Sequence, residues 1–325
     1  MNNLPPPSMR RSRLGSRRVW IATAGALLAV GIAVYFLKGQ DIVFYASLFN
    51  AKLVADRFYA EYPGLARNIP YGPLPGEKLD VYQPQPPGKH PVVIFVHGGG
   101  WRDYTKELHA PVAQRLVPND LVAVLPEYTL TAGTTYRQQT AEIAAVIAWT
   151  LENIDRYGGD PTRVIVGGQS AGAHLTALAV LDKQWLAAVH HTSDELAGLY
   201  GVSGVYDINA QMAFERQNGG AGPVLIEEFE GEANFVNGSP SNFVRPDLPP
   251  ILLIHGDADT TVPLGISKDF QARLQAVGAR SKLLIYPGAG HAGLLFDALA
   301  SNPARLVTDL VDFATSCPPA RSIPQ

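Results

Sequence analysis

The chain has a single cysteine, Cys317, in 325 residues. One thiol excludes an intrachain disulfide and any cysteine-based metal site. Charge is sparse as well: 17% of residues are Asp, Glu, Lys or Arg, the net charge is −3 and the pI is about 6.2. Domains that track phosphate backbones carry a clustered basic face, so a nucleic-acid partner is excluded. No internal repeat is present, and no lysine follows the glycines at 98–100 as a phosphate-binding P-loop requires. Acidic residues are missing altogether before Asp41.

That last absence frames the amino-terminal segment. Arg10, Arg11, Arg13, Arg17 and Arg18 precede an uncharged run from Val19 to Leu37. As a helix rising about 1.5 Å per residue, this run spans roughly 28 Å, close to the hydrocarbon thickness of a bilayer. A cleaved signal peptide shares the basic-then-apolar order, but its apolar region is only about 7–15 residues long. The small-residue pairs Ala22/Ala24 and Ala24/Ala26 also lie inside the run rather than after it. Ser16-Arg17-Arg18-Val19-Trp20 matches a twin-arginine export signal only loosely. The reading is a basic tail at 1–18 and a signal-anchor helix at 19–37 that is the membrane partner. The positive-inside tendency keeps the amino terminus cytoplasmic and sends everything after Leu37 to the extracytoplasmic side.

Residues 38–70 read as a linker, with helical spacing of Val43, Phe44, Leu48, Leu53, Val54 and Phe58 that suits a helix packed on the following domain. Proline and glycine crowd Pro63 to Pro75, placing the domain at 71–316 and a tail at 317–325. With 46% hydrophobic residues the domain can bury a sizeable core. Short apolar runs are strand candidates: Leu79–Tyr82, Val92–Val96, Leu121–Leu125, Val164–Val166, Leu199–Val202, Ile251–Ile254 and Leu283–Tyr286. Amphipathic stretches alternate with them at Thr135–Tyr157, Ala171–Leu181, Leu264–Val277 and Pro303–Thr315. Near-continuous β-branched runs separated by helices predict an α/β fold, a mostly parallel sheet covered on both faces. The rhythm breaks over about 209–250, and a segment that long between strands reads as a cap or lid beside the substrate site.

Chemistry concentrates at the ends of these strands. Gly168-Gln169-Ser170-Ala171-Gly172 joins the Val164–Val166 strand to a helix, a sharp turn that exposes a nucleophilic serine. A serine hydroxyl is a poor nucleophile at neutral pH and needs a base, which in turn needs an acid to orient it. His291, in Pro287-Gly288-Ala289-Gly290-His291, is the base. Asp259 is the acid, in His255-Gly256-Asp257-Ala258-Asp259-Thr260-Thr261-Val262-Pro263. Asp257 is its rival, and caps the turn if Asp259 holds the role. Backbone N–H groups of Gly99 and Gly100, in His97-Gly98-Gly99-Gly100-Trp101, join that of Ala171 as donors for a developing oxyanion. His97 orients this loop; no neighbouring cluster supports it as a metal ligand.

Taken together, His97–Trp101, Gly168–His174, His255–Pro263 and Pro287–His291 resemble the α/β-hydrolase carboxylesterases of the hormone-sensitive-lipase and acyl-esterase type. Arg156-Tyr157-Gly158-Gly159-Asp160-Pro161-Thr162-Arg163 matches that group too. Thr129, in Pro126-Glu127-Tyr128-Thr129-Leu130, stands where an arginine is common. The resemblance implies hydrolysis of a small-molecule ester through an acyl-enzyme, with no metal or organic cofactor. It extends to relatives similar to kynurenine formamidase and prenylcysteine methylesterase, so a formamide is the alternative substrate. A catalytically silent anchored binding protein is the non-enzymatic alternative.

Overall fold

A computed structural model describes residues 49, 52–86, 88–131, 134–220, 222–295 and 305–320. The chain divides into two units, Met1–Asn50 and Ala51–Gln325, and the sheet with its covering helices belongs to the second. The anchor expected at 19–37 lies outside the described residues. Among those described, no helix is long and apolar enough to cross a membrane.

Eight strands form one sheet: β1 (Leu65–Pro70), β2 (Lys78–Tyr82), β3 (His90–Val96), β4 (Val122–Pro126), β5 (Gly159–Gln169), β6 (Gly198–Val202), β7 (Ile251–Gly256) and β8 (Ser281–Tyr286), in the order β1-β2-β4-β3-β5-β6-β7-β8. β1 and β2 pair antiparallel with each other and β2 antiparallel with β4; every pairing from β4 to β8 is parallel. Side chains alternate across a strand. Val92, Ile94 and Val96 of β3 accordingly enter one core, while Val93 and Phe95 enter the other. Covering both faces is why these strands are apolar without alternation.

Helices α1 (52–61), α2 (Ala110–Leu116), α3 (Tyr136–Asn153), α4 (Ala171–Leu181), α5 (Lys183–Ala188), α6 (Ile208–Asn218), α7 (Gly222–Glu228), α8 (Leu264–Ala276) and α9 (Arg305–Ser316) surround it. α1 buries Ala55 and packs Phe58 and Tyr59 beneath the sheet face that holds Phe95. The expected domain border at 71 is too late, because Leu65–Pro70 is already an edge strand of the sheet. That strand was hidden by a register shift between Ala66 and Ile69, by the left-handed Asn68 (φ 52) and by its half-exposed residues, which leave no apolar run. The carboxyl tail also joins the domain further than expected: Cys317 is buried, and Ala320 N–H donates to Thr162 O at 2.7 Å.

The segment between β6 and β7 is an ordered insertion rather than a loop. It holds α6, α7 and short 3-10 turns at Glu232–Asn234 and Pro240–Phe243. Asp207 caps α6 by accepting from Ala210 N–H at 3.0 Å. At its far end Arg245 donates to Val180 O and Leu181 O, the last carbonyls of α4, at 3.1 and 3.3 Å.

Candidate active site

β5 ends at Gln169, and Ser170 then takes φ 54 and ψ −120, a conformation few non-glycine residues adopt, before α4 starts at Ala171. Ser170 N–H donates to Val202 O at 2.9 Å, which fixes the turn to the end of β6. Close approach explains the flanking glycines: a Cβ at Gly168 or Gly172 would lie 2.2 or 2.1 Å from Val96 O at the end of β3. Helix and strand therefore press together under the serine, which stands, largely buried, at the carboxyl edge of the sheet.

The loops after β7 and β8 bring the other two residues to it. His291 Nε2 lies 2.9 Å from Ser170 Oγ, and His291 Nδ1 lies 2.7 Å from Asp259 Oδ2. The Asp259 side chain is wholly buried, and its Oδ1 accepts from the N–H groups of Thr261 and Val262, each at 2.9 Å. Burial opposes ionisation of this carboxyl, yet the hydrogen bonds from His255, His291 and the backbone hold it far below the usual carboxylate range. Asp257 does not reach the imidazole line. It accepts from Gly288 N–H at 2.6 Å, and with Ala258 N–H donating to Ala289 O at 3.1 Å it fastens the β7 loop to the loop that carries His291.

Beside the serine runs the loop after β3. A Cβ on Gly98 would sit 3.1 Å from Ser170 Cβ, so this loop crosses directly against the Ser170 turn. Gly99 (φ 110), Gly100 (φ 57) and Trp101 (φ 64) are three successive residues of positive φ. A tryptophan there is held only by its surroundings: Trp101 O accepts from Thr131 N–H and Gln139 Nε2, each at 2.9 Å, with Thr131 Oγ 3.0 Å away. Ala171, the third expected donor, is the first residue of α4, where the leading N–H groups lack intrahelical acceptors. His97 is buried, with Nδ1 at 2.8 Å from Gly98 O, Nε2 at 2.9 Å from Glu127 Oε1, and its ring stacked on Tyr128. Glu127 also accepts from Lys106 N–H at 3.2 Å, closing the loop at its other end. Lys106 itself pairs with buried Asp80 at 2.9 Å.

The insertion covers this loop. Phe229 meets Trp101 and His174 edge-on with ring centroids 5.5 and 5.4 Å apart, and His174 Nε2 lies 2.7 Å from Gly238 O. Glu228 of α7 is fully buried and accepts from Thr131 Oγ; burial pushes its carboxyl up to about 7. Burial drives His174 the other way, to about 4, and His109, stacked on His97, to about 3.

Sequence reasoning passed over four residues here. His174, His255 and Glu127 are polar residues in otherwise apolar strand ends or helices, which was the available signal. Gln169, whose Nε2 lies 3.3 Å from His291 Nε2, carried none. Among the described residues no group of His, Cys, Asp and Glu is arranged to hold a metal ion.

Residues 79–274 match the family described as BD-FAE. The chain is 32% identical over 259 residues to the isoprenylcysteine alpha-carbonyl methylesterase of Arabidopsis thaliana, covering 75% of this chain and 61% of that protein. It is 32% identical over 270 residues to the esterase LipQ of Mycobacterium tuberculosis, covering 78% and 62%. It thus spans about three fifths of the length of these relatives. Among solved structures, esterase B from Lactobacillus rhamnosis superposes with a TM-score of 0.66 at 20% identity, covering 83% of this chain and 97% of that one. A carbohydrate esterase from gut microbiota superposes at 0.64 with 24% identity, covering 78% and 96%. These likenesses show an α/β-hydrolase fold.

Proposed function

From the premise that this chain belongs to the BD-FAE family, we propose that it is a serine carboxylesterase acting on small to medium acyl esters. One observation carries the reading: Asp259 Oδ2, His291 Nδ1, His291 Nε2 and Ser170 Oγ follow one another at 2.7 and 2.9 Å. In the first step Ser170 Oγ attacks the ester carbonyl while His291 Nε2 takes its proton. The carbonyl oxygen becomes an oxyanion held by N–H groups of Gly99, Gly100 and Ala171. Asp259 keeps the His291 proton on Nδ1 and stabilises the imidazolium. His291 then gives its proton to the departing alcohol, and an acyl-Ser170 ester remains. Water, deprotonated by His291, attacks that ester and releases the acid. The methylesterase name of a relative supports methyl esters as one substrate class.

The test is a chain-length series of chromogenic esters beside an N-formyl aromatic amide, run on the full chain and on Ser170→Ala. Ester turnover that disappears in Ser170→Ala supports the reading. Retained turnover in that variant, or a kcat/KM dominated by the formamide, overturns it.

Localisation belongs to the same proposal. The arginines at 10–18 and the uncharged run 19–37 support a single-pass anchor with the amino terminus cytoplasmic and the catalytic domain extracytoplasmic. Full-length chain in the membrane fraction, resistant to carbonate extraction, is the expected result. An intact chain recovered as soluble protein sinks the anchor.

A further inference from the structure

Asp259 faces a second imidazole. His255, the fifth residue of β7 and completely buried, places Nε2 3.2 Å from Asp259 Oδ2, the same oxygen that His291 approaches. The same Nε2 lies 2.9 Å from Val262 O. A carbonyl oxygen only accepts, so this nitrogen carries the hydrogen and donates. Nδ1 lies 2.7 Å from Ser267 Oγ on α8, also buried. A serine and a histidine thus stand on each side of one carboxylate, in the order Ser170, His291, Asp259, His255, Ser267.

We propose that His255 and Ser267 are positioning residues for the catalytic carboxylate, fixing the turn that carries Asp259 and setting how strongly that carboxylate draws on His291. This rests on the esterase reading above. The inner pair has no surface from which to meet a substrate, so it cannot be a second reaction centre. Its place explains what it does. Val262 N–H binds Asp259 Oδ1 while Val262 O receives His255, so one imidazole closes the turn from Asp259 to Val262 at both its peptide and its carboxylate. Ser267 holds the ring in the tautomer that points its N–H there. The groups facing Asp259 are His291 from the β8 loop, His255 from β7 and the N–H groups of Thr261 and Val262; Asp257 is engaged with Gly288. Without the His255 N–H the carboxylate charge is less compensated and the His291 imidazolium is favoured.

The experiment compares His255→Leu, His255→Gln and Ser267→Ala in the full chain, with kcat and KM followed from acid to alkaline pH and thermal melting as the folding control. His255→Leu is expected to lower kcat about tenfold to a hundredfold, the scale on which partners that orient a site's own groups act. Its KM stays within about twofold and the acid limb of kcat/KM moves to higher pH by about half a unit or more. His255→Gln, which restores an N–H at similar reach, returns the limb and most of kcat. Ser267→Ala shows a smaller fall and a limb displaced the same way. A folded His255→Leu with unchanged kcat and limb overturns the proposal, as does a glutamine variant no better than leucine. If the leucine variant does not fold, Ser267→Ala decides: a lowered kcat with a displaced limb supports the proposal and an unchanged profile overturns it. Turnover surviving Ser170→Ala, by contrast, defeats the esterase reading itself.

Discussion

The indole N–H of Trp101 donates to Nδ1 of His174 across 3.1 Å, with the two rings at 84°. An indole N–H only donates, so Nδ1 carries the lone pair and Nε2–H must be what Gly238 O accepts. A single neutral imidazole therefore joins the loop of Gly99 and Gly100, the helix behind Ser170, and the insertion.

Trp101→Phe keeps an aromatic ring edge-on to His174 and Phe229 but leaves His174 Nδ1 buried without a donor. The cost is about 1–3 kcal/mol of stability, read as a lowered urea midpoint. Because the Trp101 indole ties the loop of Gly99 and Gly100 to His174 on α4, kcat is expected to fall while KM changes little.

Acid stability follows from three buried groups. His174 and His109 fall from 6.5 to about 4 and about 3 on folding, so between pH 4.5 and 5.5 the unfolded chain binds nearly two protons that the folded chain rejects. Glu228 rises from 4.5 to about 7 and binds one proton that the unfolded chain has lost. The histidines outweigh the acid by about one proton, so these three groups together make stability rise with pH across this window by about 1.4 kcal/mol per unit. Glu228→Gln removes the opposing proton, and its slope is expected to reach about twice that of the parent chain by pH 5.5 in melts buffered from pH 4.5 to 5.5.

The two aspartates of the β7 loop separate by role. Asp259→Asn removes the acceptor that sets the His291 tautomer and is expected to lower kcat by about 10⁴-fold with the fold intact. Asp257→Asn keeps an oxygen for Gly288 N–H and is expected to stay within about tenfold. Parallel kcat measurements on one short ester check both; equal losses refute the assignment.

Neighbouring glycines also divide. A Cβ on Gly99 would lie 2.1 Å from Asp103 O at φ 110, so Gly99→Ala must displace the loop. Loss on the scale of one oxyanion donor, about 10²–10³ in kcat, is expected. Gly100→Ala finds open space and meets only the left-handed penalty at φ 57, about 1–2 kcal/mol. A Gly100→Ala variant more impaired than Gly99→Ala counts against the loop's assigned role.

Much of this was legible in the residues because parallel strands buried on both faces read as unbroken apolar runs. Val92–Val96, Ile251–Ile254 and the strand before Ser170 all occur where such runs stand. Ser170, Asp259 and His291 follow strand ends, so a turn of glycines and polar residues announced each. Legibility failed where burial was partial or the contact was remote in sequence. Edge strand β1 has no buried residue to mark it. The insertion's helices carry weak apolar faces, and α7 buries only Leu225 and Glu228. His255 reads as part of a loop motif because its meeting with Ser267 and Asp259 depends on how α8 packs.

Arg245 and Gly238 grip α4 at opposite ends, one at its last carbonyls and the other through His174 in its first turn. The insertion and α4 are consequently one inheritable unit rather than two interchangeable parts. A chimaera that imports a foreign insertion at residues 207–247 while keeping the native α4 would arrive with mismatched ends. Recombination between relatives of this family should succeed when the crossover lies before β5, so that serine, helix and insertion travel together.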